Sequence, residues 1–316
     1  MAGGKETPRQ KMIGMMYLVL TALLALNVSK QVIAAFVTIN DKLDRSAEII
    51  QTNNNGIYAA FEKKIITAKA QGMDVKPLQV WQDRAAEVQV ETKLIVDYLL
   101  NECNEMIKEV EGGADWVATD EEIDTKDGKK KVITSLKPLA DISAMDNYDV
   151  PTNRFIGGNP EEPKQEGKMI RQKIIEYRNK VAEIMATYEH PKAPNGKYTF
   201  KAPEDLSQLD AALKTANPDD TAQIAQFMHS LDIPAKITRK VHGEEEELPW
   251  PSVMFDHAPI VAAAAMLTSL KLDVKNAESM ATGFLLSKVD VQEFDFNKIE
   301  PLAFAETGYI NQGDSL

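Results

Sequence analysis

The stretch MIGMMYLVLTALLALNVS, residues 12–29, is eighteen residues long and holds no charged side chain. An α-helix rises about 1.5 Å per residue, so the run spans ~27 Å, just short of the ~30 Å hydrocarbon core of a bilayer. The rest of the chain is polar: 27% of its 316 residues are charged and the formal net charge is −12. The layout this implies is one N-terminal membrane helix carrying a large polar body. The acidity argues against nucleic acid or an anionic lipid surface as a partner.

A signal peptide also places basic residues before an apolar run. Lys5, Arg9 and Lys11 do precede this one, but no small-x-small cleavage site follows it. The apolar pattern instead continues past Lys30 through Val32, Ile33, Ala35, Phe36, Ile39 and Leu43. The run therefore reads as an uncleaved anchor that continues directly into a helix of the body. The short basic tail, residues 1–11, is expected to stay in the cytoplasm, because long domains translocate largely regardless of charge. The membrane helix then covers 12–35, in the inner membrane as a single pass, and the bulk of the chain lies in the periplasm.

Residues 36–289 read as a helical domain, so the fold class is mainly α: one membrane helix continuing into a periplasmic helical bundle. Ile39, Leu43, Ser46, Ile50, Asn53, Ile57 and Ala60 follow a 4-3 spacing that carries the first helix outward. A second helix begins near Pro77 with the stripe Trp81, Ala85, Val88, Thr92, Ile95, Leu99, Cys103, Met106 and Val110, and ends at Gly112 and Gly113. A third covers about 163–190, with Ile170, Ile174, Tyr177, Val181, Ile184 and Tyr188 on one face. These narrow stripes read as antiparallel bundle helices, with room for packing against another copy of the chain.

Asp127 and Gly128 mark a hairpin between 121–125 and 131–134. The connection from 112 to 162 is long enough to be functional or to pack over the surface. Short helices follow at 203–215 and 219–231. Glu244–Glu247 and Asp120–Glu122 read as solvated loops. The uncharged run 258–270 is too short to cross a bilayer and suits a buried central helix continuing to Leu285. Residues 290–316 turn β-like, with Val291, Phe294, Phe296 and Ile299. A lone strand is unstable, so the chain is expected to stop where a β-rich domain starts.

Signals for catalysis are nearly absent. None of the phosphate-binding, dinucleotide-binding, hydrolase or zinc-protease motifs occurs, and the four histidines show no ligand spacing. Cys103 is a lone cysteine inside a helical stripe and reads as a core residue. The chain is therefore read as no enzyme, with no cofactor and no metal.

The anchor itself holds the candidate functional residues. Gly14, Thr21, Ala25 and Ser29 fall on one face, where small residues let membrane helices approach closely; small residues also occur on faces turned to lipid. Arg9 stands at the edge of a segment barely long enough to span. Either it snorkels to lipid phosphates, or it pairs with an acidic residue of a neighbouring membrane protein. At about 100° of rotation per residue, Arg9 and Tyr17 lie ~80° apart, so one neighbour can touch both. The segment contains no Asp or Glu. If the protein takes part in proton-driven work, the carboxylate belongs to a partner.

The segment PRQKMIGMMYLVLTALLALNVSK, residues 8–30, closely resembles the start of the GldM/PorM family, inner-membrane subunits of the type IX secretion and gliding-motility motor of Bacteroidetes. GYINQGD, residues 308–314, is similar to that family's passage into its β-domains. The resemblance implies a homodimer whose two anchors sit inside a ring of a multi-spanning GldL/PorL-type inner-membrane protein. Protonmotive force would drive the rotation of one component against the other. Arg9 would pair with an acidic intramembrane residue of that partner and Tyr17 would contact it. Later β-rich domains of the family, beyond this chain, reach an outer-membrane-associated ring. Two alternatives stay open: a static periplasm-spanning scaffold, and the ectodomain of a membrane-anchored sensor. The second normally needs another membrane span and a cytoplasmic output module.

Overall fold

A computed structural model of the chain describes residues 8–126, 128–241 and 244–293, and the side chains within them except at 8, 22–29, 194, 241, 244 and 290–293. Its first element is a single helix, α1 (Pro8–Ala70), 63 residues long. At 1.5 Å per residue it extends about 95 Å. Beyond Lys30 its covered face repeats every seventh residue: Ile33, Asn40, Ala47, Asn54, Phe61 and Ala68 are all buried. A seven-residue period drifts against the 3.6-residue turn, so this face winds left-handed along the helix, as in a coiled coil.

This stripe lies beside the one read from the sequence. Ile39, Ser46 and Asn53 are exposed, and Leu43, Ile50, Ile57 and Ala60 are only partly covered. Hydropathy favours the second set, whose isoleucines and leucine are more apolar than Asn40, Ala47 and Asn54. The chain nevertheless buries the first, whose two asparagines hydrogen-bond to one later helix: Asn40 accepts from Thr268 and the Asn54 amide donates to the Lys275 carbonyl and to Glu278, while the Asn54 side-chain oxygen is left without a partner among the described residues.

The helix α2 (Lys76–Val110) starts with a proline in its first turn and returns alongside α1. Trp81, Ala85, Val88, Thr92, Ile95, Leu99, Cys103 and Met106 are buried as the periodicity implies, and Val110 packs at the edge of the core. It ends where Gly112 and Gly113 take positive φ, and the Gly113 amide donates back to the Lys108 carbonyl. A hairpin follows, β1 (Val117–Thr125) antiparallel to β2 (Gly128–Leu136), longer than the turn signal suggested and packed on α2. Residues Asp120–Glu122 are thus strand residues, not a loop.

A short helix, α3 (Asp149–Pro151), runs into a wide turn over Thr152–Ile156 that buries Phe155 and Ile156. The helix α4 (Gln165–Ala186) crosses above it at Gly167. A Cβ there would lie 2.4 Å from the Phe155 carbonyl oxygen, so only glycine permits the approach. The helix was expected to reach His190 but ends at Ala186. Tyr188 belongs instead to a two-residue strand, β3 (Tyr188–Glu189), paired with β4 (Lys197–Tyr198), and stays buried among aromatic rings.

Two further helices lie within the segments expected to be helical: α5 (Leu209–Leu213) takes up only part of 203–215, after a single tight turn over Leu206–Gln208, whereas α6 (Thr221–Ser230) fills most of 219–231. The four glutamates 244–247 stand in β6 (Glu244–Pro249), antiparallel to β5 (Lys236–Val241), where Arg239 faces Glu246 and Lys240 faces Glu245. Glu245–Glu247 are solvated, but in a charge-paired ribbon and not in a loop. After α7 (Trp250–Phe255), α8 (Ile260–Glu293) runs through the centre, with Ile260–Ala265 buried on all sides. The β-rich segment expected over 290–316 does not begin at 290: residues 290–293, Val291 among them, are the last turn of α8, where the helical hydrogen bonding continues, and residues 294–316 lie outside the described residues.

The bundle is not uniformly antiparallel. Successive pairs between α1 and α8, namely Asn40 with Thr268, Asp44 with Lys271 and Asn54 with Glu278, ascend in both helices, so the two run parallel. In contrast, α2 and α4 run antiparallel: Thr92 meets Tyr177, Glu91 meets Lys180, and Arg84 meets the Ile184 carbonyl. Parallel neighbours need a long return, and the chain between α4 and α8 provides it. Among the described residues no helix is long and apolar enough to cross a membrane. The expected span 12–35 includes residues 22–29, whose side chains are outside those described.

Candidate functional site, the exposed start of α1 and its polar seam

From Arg9 to Thr21 every residue of α1 is exposed. Met12, Met15, Met16, Tyr17, Leu18 and Leu20 each show more than 60% of their surface. Contiguous apolar surface of this kind marks a lipid or protein contact. Gly14 has nothing within 4 Å of where a Cβ would sit, leaving that face open to close approach. The Thr21 hydroxyl donates to the Tyr17 carbonyl at 2.8 Å, so it is satisfied within its own helix and compatible with an apolar medium. Arg9 and Tyr17 are both exposed on this segment. Ala25 and Ser29, the other members of the small-residue face, fall among the side chains not described.

Further along, α1 is held to α8 by polar rungs within the core. Thr268 donates to Asn40 at 2.7 Å. Lys271 pairs with Asp44, and Lys275 donates to Gln51. Asn54 gives its amide both to the Lys275 carbonyl at 3.2 Å and to Glu278 at 2.9 Å. The Tyr58 hydroxyl reaches the other oxygen of Glu278 at 2.8 Å. Asn54 and Glu278 are fully buried, and Lys271 and Lys275 nearly so. Burial pushes the Lys275 ammonium below its ordinary value, and burial together with Glu278 pushes the Tyr58 phenol far up.

Near the other end of α8, Lys288 pairs with Asp220, which is 2% exposed and also accepts the Tyr188 hydroxyl at 2.5 Å. Asn217 in turn donates to Tyr188 at 2.7 Å. These groups tie α8 to α6 and to the aromatic cluster around Tyr188. Polar contacts are directional, and a buried charge whose partner leaves is left with a desolvation cost of roughly several kcal/mol uncompensated. The rungs therefore set the axial and rotational register of α1 on α8. Among the described residues, no group of three or more His, Cys, Asp or Glu could hold a metal ion.

Of the sequence-predicted residues, Arg9, Gly14, Tyr17 and Thr21 lie on the exposed start of α1, while the rungs escaped sequence reasoning. A signal for them existed: Lys271, Lys275 and Glu278 stand at a 4-3 spacing, on one face of a helix whose first half is largely apolar, which is how a buried polar seam appears in sequence. The model of the GldM N-terminal domain family matches residues 31–288, well over half of the chain. That range covers the seam and the whole body, and begins just after the exposed apolar segment. No curated protein matches the chain.

Proposed function

The chain belongs to the GldM family of gliding-motility and type IX secretion proteins, which are structural components and not enzymes, and from that membership we propose that it is a homodimeric, force-transmitting subunit of a protonmotive-force-driven motor. Residues 12–35 anchor it as a single pass in the inner membrane, with the N-terminus in the cytoplasm and the body in the periplasm. Its partner in the membrane is a multi-spanning GldL/PorL-type protein whose acidic intramembrane residue faces Arg9, with Tyr17 against the same neighbour. Domains beyond this chain would carry motion to an outer-membrane-associated ring.

The observation that carries this reading is the continuity of α1. One unbroken helix joins the exposed apolar segment to the buried seam, so membrane and body share a rigid element with no intervening loop to absorb motion. A second observation favours the dimer. The stripe Val32, Phe36, Ile39, Leu43, Ser46, Ile50, Asn53, Ile57 and Ala60 keeps a 4-3 spacing, but the chain's own core takes the adjacent face. The two stripes lie about 100° apart on the helix. A heptad seam of this length, made up of exposed and half-covered positions, suits a parallel partner helix, which a second copy supplies.

Arg9→Ala tests the motor role. Secretion and gliding should be lost while the protein remains membrane-bound and dimeric by crosslinking. Normal secretion and gliding in that variant would overturn the role and leave the static-scaffold reading in its place.

A further inference from the structure

Between α1, α2 and α8, under the β1–β2 hairpin, lies a cavity of about 480 Å³. It opens beside Ala47, a buried position of the α1 heptad. Asn40, Asn54 and Phe61 on the same face are larger, and the single methyl of Ala47 leaves the space. The volume falls within the range of small-molecule sites. Empty cavities in proteins are apolar, whereas polar ones hold water or a ligand. This one is open to solvent on one side and polar in part: Gln51, Gln89, Thr52 and Thr134 line it together with three lysines, beside Val96, Val132 and Ile133.

The lysines point to the ligand's charge. Lys93 pairs with Glu121 of the hairpin at 3.0 Å, Lys271 with Asp44, and Lys275 with the neutral amide of Gln51. The carboxylate nearest Lys275, Glu278, lies 3.4 Å away and is shared with Asn54 and Tyr58. An ammonium has three donors, so all three keep donor capacity, and Lys275 is too buried for bulk water to use it fully. Three ammoniums and two carboxylates, Glu48 and Glu121, line the cavity itself, and the carboxylates that pair with Lys271 and Lys275, Asp44 and Glu278, stand behind that lining. The lining holds no aromatic ring to stack a base and no arginine fork to grip a phosphate. Point cations interspersed with amides and hydroxyls suit an aliphatic skeleton bearing several carboxylates.

We propose that this cavity binds a small aliphatic polycarboxylate, its carboxylates set among Lys93, Lys271 and Lys275. Bound there, it bridges the hairpin to the α1–α8 seam. The test is titration calorimetry on the full chain in lipid nanodiscs, with citrate, succinate and inorganic phosphate as probes and ionic strength held constant with chloride. Citrate or succinate should bind saturably. Lys93→Gln, at a partly exposed position, and Ala47→Leu, which fills the space, should each weaken binding at least tenfold while the thermal transition stays cooperative. Absence of saturable heat from both carboxylates would overturn the proposal. So would unchanged binding in both variants, or phosphate binding more tightly than either carboxylate.

Discussion

Asn54 on α1 donates its side-chain amide to Glu278 on α8 at 2.9 Å, and both residues are completely buried. The carboxylate also accepts the Tyr58 hydroxyl at 2.8 Å. A buried carboxylate is tolerated only while such donors remain. Asn54→Ala removes one of them, and chemical denaturation should register a loss of about 1–3 kcal/mol. Asn54→Asp should lose more at neutral pH, since it sets a second carboxylate against the first. Stability equal to wild type in both variants would show that the rung carries no load.

Lys275 gives the seam a pH dependence of known sign. Burial lowers its folded-state value below the ordinary 10.5. Between those two values the unfolded chain holds the proton and the folded chain has released it, so stability rises with pH across that window. Below the folded value the penalty for burying the charge is fully present. Lys275→Met removes the titrating group. The stability difference, variant minus wild type, should therefore fall as pH rises from neutral toward 10.5. Denaturation midpoints of the two proteins measured across that range check this; a flat or rising difference would contradict it.

Gly167 lies where α4 passes the Phe155 carbonyl. Alanine would place its Cβ 2.4 Å from that oxygen and 3.2 Å from the Pro251 Cβ. In an open helix the change from glycine stabilises by up to about 1 kcal/mol. Here the two obstacles are backbone and a proline ring, and overpacking of this kind costs about 1–3 kcal/mol. Gly167→Ala should lower the melting temperature.

The exposed stripe on α1 can be tested with single cysteines. Cys103 is buried and its thiol is pushed up to about 12 by burial, so it contributes no thiolate near pH 8. Ser46→Cys should form a disulfide-linked dimer under mild oxidation, because it lies on the proposed two-fold seam. Glu62→Cys, on the opposite face of α1, should not. Equal yields on a non-reducing gel would argue against a defined seam.

The local features of the fold were readable because their causes are local. Periodicity marks α2 through Leu99 and Met106, paired glycines stop it, and Asp127 with Gly128 announces the hairpin. Tyr188 was misread as helical because its spacing continues the α4 stripe, while its hydroxyl is claimed by Asp220 and Asn217 from another part of the chain. The β5–β6 ribbon was missed because four glutamates look like solvated loop until Arg239 and Lys240 are placed opposite them. For the apolar start of α1, the candidate residues came from the uncharged run and from resemblance; Arg9 and Tyr17 are exposed there, as residues on any unpartnered helix face are.

What the sequence by itself determined is that α1 is a long helix with apolar positions on two neighbouring stripes. Helical propensity and a repeat near 3.5 residues act over one or two turns, so they are written in adjacent residues. Which stripe enters the core was decided only by tertiary structure. Hydropathy favours Ile39, Leu43 and Ile50, yet Asn40, Ala47 and Asn54 are the buried set. The reason is that a buried amide or charge is stable only with a partner, and those partners, Thr268, Lys271, Lys275 and Glu278, come from a helix at the far end of the chain. That leaves the more apolar stripe on the surface, available to something outside the chain.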